Sequence, residues 1–237
     1  MRKFMNSSAA QDSEQEGPPI SFQDQVDRSR PIGVQIYEVV RLNIILEVLK
    51  PLDPINETDL SVWFGVSRTP VREAYVRLVN DGLIQARNKV GTIVAPIDSA
   101  RVKEGIIIRR ALEREVVKLV CENQVSLKPL DSLLALQSVS VSHDDHIAFF
   151  KLDEEFHAAL ADLADLPSAW RLAHSVKAHT DRARIVLTAN LPKRINIAFS
   201  QHLELVEALK GRDVELSQAL VSKHINSAFE VLENHVA

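Results

Sequence analysis

From Asp98 to Ala237 the chain holds two glycines, Gly105 and Gly211, and no alternation of apolar and polar residues that competes with the helical pattern. Alternation is the mark of a strand, and glycine is the residue that bends or bulges one, so their joint absence leaves helix as the regular structure this stretch builds. Breaks at Ser126, Ser142-His143, Pro167, Pro192 and Gly211-Arg212-Asp213 divide it into helices near 99–123, 127–141, 144–165, 167–189, 193–210 and 213–235. Helices of this length, folded back on one another by short connections, make an all-α antiparallel bundle of six with a core of its own. Apolar residues are 46% of the chain, enough to fill such a core.

The segment before it reads differently. Residues 1–30 are polar, with a Gly17-Pro18-Pro19 break, and are expected to be a disordered tail. A helix begins after Pro31, with Val34, Ile36, Val39, Val40, Ile44, Ile45 and Val48 at helical spacing, and ends by Pro51 and Pro54. Asn56 caps a short helix that Gly65 breaks, and Ser67 caps another from Arg68 to about Asp81, which Gly82 ends. Two strands, Leu83–Ala86 and Thr92–Ala95, flank a turn over 87–91, and Pro96 closes the unit. The expected fold class is therefore mainly α: an N-terminal winged helix-turn-helix over 31–97 and the six-helix bundle over 98–237.

A net charge of −4 argues against broad affinity for polyanions. Between Ser61 and Ile97, however, Arg68, Arg72, Arg77, Arg87 and Lys89 face only Glu73 and Asp81, so positive charge is focused on the reading unit. The N-terminal residues of the second helix enter the major groove in this layout. Arg68 and Arg72 suit guanine, and the Thr69 methyl suits thymine. Ser67 and the helix N-terminus suit a phosphate. Arg87, Asn88 and Lys89 at the hairpin tip are placed for the backbone or minor groove, and Arg77 for a structural or phosphate contact. No apolar run reaches the ~18–20 residues that span a bilayer. Met1-Arg2-Lys3-Phe4 lacks the apolar stretch of a signal peptide. The single Cys121 forms no internal disulfide and reads as core. A cytoplasmic protein with no membrane partner is expected.

Gly65-Val66-Ser67-Arg68-Thr69-Pro70-Val71-Arg72-Glu73-Ala74, with Leu78, Gly82-Leu83-Ile84 and Gly91-Thr92-Ile93-Val94, closely resembles the GntR family of bacterial regulators over residues 35–97. The resemblance implies DNA contacts from Arg68, Thr69, Arg72 and the wing loop at Gly91. Two departures stand out. Pro51-Leu52-Asp53-Pro54 replaces the family's usual Pro-Gly step, and Thr58 stands where a DNA-contacting Arg is common. The acidic Asp53, Glu57 and Asp59 would repel phosphate if they faced it.

In the helical segment, Asp153 and His157 stack one turn apart on one helix face. His202 and His224 lie at comparable distances either side of the Gly211 turn, so they can face each other. One Asp and three His suit a divalent first-row ion, zinc first, with nickel, manganese or iron as alternatives. His143 and His146 are expected to face solvent, and His174, His179 or Arg182 on the 167–189 helix to line a pocket, with His179 and Arg182 favoured.

Arg109-x-x-Leu112-Glu113, Asp153-x3-His157, Gln201-His202-Leu203, the Ala208–Asp213 turn and His224 resemble the FCD ligand-binding domain of the FadR-type branch, and six helices resemble its VanR-type subdivision. This implies Asp153, His157, His202 and His224 as metal ligands, a small organic acid completing the coordination, and Arg109 near that effector. Glu113 matches only as a domain signature. The expected protein is a ligand-responsive repressor, a homodimer on a palindromic operator, and not an enzyme. The alternatives are a sensor for the metal itself, disfavoured because an Asp/His3 set discriminates poorly among divalent ions, and a metal-dependent enzyme, disfavoured because no general base shares the face of Asp153.

Overall fold

The structure, a computed structural model, describes residues 27–88, 91–190 and 193–236. The tail expected over 1–30 falls, up to residue 26, outside the described residues. The N-terminal unit comprises α1 (Ile32–Ile45), α2 (Glu57–Phe64), α3 (Arg68–Asn80), β1 (Ile84–Arg87) and β2 (Gly91–Val94). Each boundary has a local cause. Pro31 sits just before the first residue of α1. The Asn56 side chain accepts from the Asp59 amide at 2.8 Å, and Gly65 leaves α2 through a left-handed φ of 62°. Ser67 occupies the N-cap position of α3, but its side chain makes no capping bond.

The hairpin pairs Ile84 with Val94 and Arg87 with Gly91, antiparallel. The Leu52–Ile55 segment runs along the far edge of β2: the Leu52 amide donates to the Val94 carbonyl, and the Ile55 amide to that of Thr92. That third strip of the wing carries no alternation and is invisible in the sequence. Ile36, Val40, Ile44, Leu60, Val71, Leu78, Leu83 and Val94 form the unit's buried core.

The C-terminal unit contains α4 (Ser99–Asn123), α5 (Lys128–Ser142), α6 (His146–Leu163), α7 (Pro167–Val176), α8 (Ala178–Asn190), α9 (Arg194–Lys210) and α10 (Val214–Val236). The helix expected over 167–189 is divided at Lys177, so among the described residues the bundle has seven helical segments where six were expected. No proline or glycine marks the division. It is produced by tertiary contacts: Arg41 Nη2 donates to the His174 carbonyl at 3.3 Å, and the Lys177 side chain is fully buried among carboxylates. α4 approaches the division closely at Gly105, where a Cβ would lie 2.8 Å from the Val176 carbonyl oxygen. The α9–α10 turn is as expected, although Arg212, with φ 56°, takes the left-handed conformation and Gly211 does not.

The core of this unit runs from Val102 and Val117 of α4 through Leu130, Phe156, Leu160, Leu205 and Leu209 to Val221 and Ile225. Cys121 belongs to it, with its Sγ 3.6 Å from Ser217 Oγ. The seam between the two units is built from buried polar groups. Arg182 donates to the Ala95 carbonyl at 2.6 Å and to Glu47. His179 bridges the Asp98 amide and the Gly82 carbonyl, each at 3.1 Å. Among the described residues, no helix is long and apolar enough to cross a membrane.

Candidate functional site

The i, i+4 spacing on α6 sets Asp153 and His157 on its inward face, α9 brings His202 and α10 brings His224. All four are buried, and one donor atom from each lies within 4.8 Å of the others. His224 Nε2 is 3.3 Å from both His157 Nε2 and His202 Nε2. Asp153 Oδ1 is 3.4 Å from His202 Nε2, 3.6 Å from His224 Nε2 and 4.0 Å from His157 Nε2.

The second nitrogen of each ring explains which way the first one faces. His202 Nδ1 meets Gln137 Oε1 at 2.8 Å, and that amide is oriented by its own donation to the Leu152 carbonyl. His224 Nδ1 meets Gln201 Oε1 at 3.0 Å, and His157 Nδ1 lies 2.6 Å from Glu113 Oε2. The amide oxygens behind the Nδ1 atoms of His202 and His224 hold the proton there and leave each Nε2 lone pair pointing inward, and the Glu113 carboxylate beside His157 Nδ1 favours the same tautomer. Burial pushes His202 well below its usual range, with His224 beside it adding to the effect. Burial likewise brings His224 down to about 4. Against the burial that would raise Asp153, Arg184 above all keeps it ionised, well below the ordinary carboxylate value.

Three inward lone pairs and a carboxylate oxygen therefore share one buried point. Asp153 Oδ1 has no hydrogen-bond partner there. A buried anionic oxygen left without a donor is costly, and a cation is the group that satisfies it together with three imidazole lone pairs. The donor set thus fits a divalent metal.

A cavity opens beside His224, with Arg109, Arg184, Arg194 and His146 among its lining and Phe149, Phe150 and Ile185 on its apolar wall. Arg109 lines this cavity, buried and paired with Glu113 at 2.5 Å. The paired Glu113 sits at about 2, because Arg109 and His157 outweigh the burial that would raise it. His179 and Arg182 are not in this cavity. Each commits its polar atoms to the seam with the reading unit, because the division at Lys177 gives α8 its own start and aims these residues at Gly82, Ala95 and Glu47. His146 is half-buried and lines the cavity where exposure to solvent was expected.

Sequence reasoning missed Gln137, Gln201, Arg184 and the role of Glu113. The i, i+4 spacing of Arg109 and Glu113 and the adjacency of Gln201 to His202 were signals in reach. Nothing in the sequence links Gln137 of α5 to His202 of α9.

In the reading unit, Ser67, Arg68, Thr69, Arg72, Arg87, Asn88 and Gly91 are all exposed. The uncommitted Ser67 hydroxyl, Arg68 and Thr69 open α3 together. Arg72 is held by Glu57 at 2.9 Å, so that carboxylate competes for the guanidinium. Gly91 has φ 96°, a value that favours glycine, and a Cβ there would meet nothing within 4 Å. Lys89 lies outside the described residues. Arg77 stacks its guanidinium 5.9 Å from the Tyr37 ring centre, a structural placement. Thr58 is exposed on α2.

Comparison with known proteins bears on both units. The model described as "Bacterial regulatory proteins, gntR family" matches residues 32–94, and the FCD domain model matches residues 106–227. The chain is 32% identical over 215 residues to the HTH-type transcriptional repressor RspR of Escherichia coli (strain K12), covering 89% of this chain and 93% of that protein. It is 27% identical over 192 residues to a probable D-xylose utilization operon transcriptional repressor of Paenarthrobacter nicotinovorans, covering 78% of this chain and 84% of that one. In fold it is similar to E. coli McbR/YncC, with a TM-score of 0.75 at 21% identity over 86% of this chain and 98% of the other. A GntR regulator structure from Rhodococcus sp. RHA1 gives a TM-score of 0.70 at 22% identity over 85% of this chain and 97% of that one.

Proposed function

Because this chain belongs to the GntR family of bacterial transcriptional regulators and joins its helix-turn-helix to an FCD domain, we propose that it is a cytoplasmic, homodimeric repressor. Its operator binding responds to a small organic acid held at a metal centre in the helical unit. The observation that carries the metal centre is the convergence of Asp153 Oδ1 and three imidazole Nε2 atoms on one buried point with no donor for the carboxylate oxygen.

Asp153, His157, His202 and His224 would hold the ion, zinc first among divalent metals. Bound there, the ion supplies a Lewis-acidic coordination point for a carboxylate. The chain's own residues do the rest. Glu113, Gln137 and Gln201 fix the ring orientations. The guanidinium of Arg109, with Arg184 and Arg194 on the same cavity lining, gives an anion a positive field. The apolar wall accepts the carbon skeleton. At the other end, Arg68 and Thr69 read base edges at the start of α3, with Arg72 one turn on and Ser67 on a phosphate. Two heads, paired by the helical units, would read half-sites about 10 base pairs apart. A ligand changes that binding only by favouring one arrangement of the heads over another.

The test is selection from a random pool of duplex DNA at moderate salt, with full-length protein. The expected result is enrichment of an inverted repeat whose affinity changes when zinc and a panel of small carboxylates are added. Failure to enrich any duplex refutes the regulator reading. Enrichment with no response to any metal or acid refutes the effector reading.

A further inference from the structure

The second oxygen of Asp153 begins a chain of buried charges that ends on the reading unit. Asp153 Oδ2 accepts from Arg184 Nη2 at 2.7 Å. Arg184 Nη1 lies 3.8 Å from Glu154 Oε1 and 4.0 Å from Asp181 Oδ1, and the same side chain lines the cavity beside His224. Asp181 receives Lys177 Nζ on both oxygens at 2.7 Å and Arg41 Nη2 on Oδ2 at 3.3 Å. Arg41 belongs to α1, the first helix of the reading unit, and its Nη2 also donates to the His174 carbonyl where α7 ends. Asp153, Lys177 and Asp181 are fully buried, and the Arg41 side chain is 7% exposed. Away from water such pairs act on one another strongly, so a change at one carboxylate is redistributed along the set.

We propose that the ion chain Asp153–Arg184–Asp181–Arg41 couples occupancy of the metal and effector site to α1 of the reading unit, with Arg184 as the residue shared between cavity and chain. This rests on the reading of that site given above. Distances decide where the chain yields. Were Asp153 to share its charge with a cation, it would hold Arg184 less tightly through Oδ2. An anion in the cavity draws on the same guanidinium. Either event repartitions Arg184 between Asp153, Glu154 and Asp181. The 4.0 Å contact between Arg184 and Asp181 is the loosest of the chain and shifts first; beyond it, Asp181 grips Lys177 with two short contacts and Arg41 with one longer contact, so of those two the Arg41 link takes up the difference. An apolar contact runs beside it: Phe150 and Ile185 of the cavity wall pack on Ile45 of α1. The division of the bundle at Lys177 belongs to this device, because it frees the His174 carbonyl for Arg41 and buries the Lys177 ammonium against Asp181.

Contiguity alone does not establish coupling, so the test perturbs the link and reads the far end. Hydrogen exchange of full-length protein is measured with and without Zn²⁺, comparing peptides over residues 36–45 of α1 with residues 57–64 of α2, which contribute no residue to the ion chain. Zn²⁺ binding is titrated separately. In the native sequence, saturating Zn²⁺ is expected to change α1 exchange relative to α2 by at least about fivefold, the low end of ordinary coupling factors. In Arg41→Met the ratio is expected to fall to within about twofold while Zn²⁺ still saturates the site, with an affinity changed by no more than the coupling factor that is lost. Asp181 keeps Lys177 in that variant. If circular dichroism shows it unfolded, Arg41→Gln, which retains a donor for the His174 carbonyl, takes its place. An unchanged ratio in the folded variant, or no α1 response at full Zn²⁺ occupancy, overturns the coupling and leaves the metal centre standing. No Zn²⁺ binding by the native sequence removes the metal centre and this inference with it.

Discussion

Replacing His224 by alanine separates a metal centre from a merely polar core. His224 is 6% exposed, at the edge of the cavity, so truncation opens toward that space and does not leave a sealed void. Its partner Gln201 Oε1 keeps a second contact with Ser227 Oγ at 3.5 Å. Two of the three facing lone pairs remain, and their mutual repulsion is reduced. The ligand-free variant should therefore lose no more than about 1 kcal/mol, the centre of the distribution for point substitutions. The metal-loaded comparison is the sharp one. Metal at 100-fold over its dissociation constant stabilises the native sequence by about 2.7 kcal/mol. For a chain of this size that is a rise in Tm of roughly 5–11 °C. Loss of a residue behind a ligand costs ~10–100-fold in metal affinity, so loss of a ligand itself should cost at least ~100-fold. At the same metal concentration the variant then gains only about 0.4 kcal/mol, a shift near 1–2 °C. Glu113→Gln, which keeps an acceptor behind His157 without its charge, should fall between the two. The assay is thermal unfolding of chelator-treated protein with graded zinc, nickel and manganese. A His224→Ala variant that retains more than half the native shift would refute the reasoning, as would a native chain that shifts with none of the three ions.

Two more outcomes follow from other parts of the molecule. Glu57→Gln should release Arg72 to carry its charge onto DNA, raising nonspecific DNA affinity and steepening the dependence of log affinity on log salt by about one unit per head. Salt titrations that give equal slopes for both proteins would show that Arg72 does not reach DNA. His179 accepts the Asp98 amide on Nδ1 and meets the Gly82 carbonyl with Nε2, an arrangement only the neutral ring satisfies. Burial, with Arg182 adding to it, lowers it from the ordinary 6.5. In the window below 6.5 the unfolded chain takes up a proton that the folded chain does not, so its contribution is complete above pH 6.5 and is lost as pH falls through the lowered folded value. Urea unfolding across this range should give the native sequence an acid slope up to about 1.4 kcal/mol per pH unit steeper than His179→Gln. Equal slopes would place the acid sensitivity elsewhere.

The reading unit was legible because its information is local. Asn56, Gly65, Gly82 and the Gly91 turn each act within a few residues, and capping, helix breaking and hairpin closure follow from their own chemistry. The pairing of Asp153 with His157 was legible for the same reason, since one turn of helix fixes it. What sequence alone determined was thus the order of elements, the polar head of α3 and the identity of four ligand candidates. Tertiary structure decided how they meet. The division at Lys177 has no local cause and arises from an ammonium buried by carboxylates on other turns and from an arginine of α1. It carries His179 and Arg182 to the seam, where sequence position had put them beside an effector. Gln137 reaches His202 from α5, a helix packed directly on α9 but remote from it in sequence, and Arg184 reaches Asp153 from a helix that the sequence merged with its neighbour. Those contacts depend on helix rotation and depth, which are set by packing of the whole core and by the need to pair every buried charge. No window of the sequence encodes them.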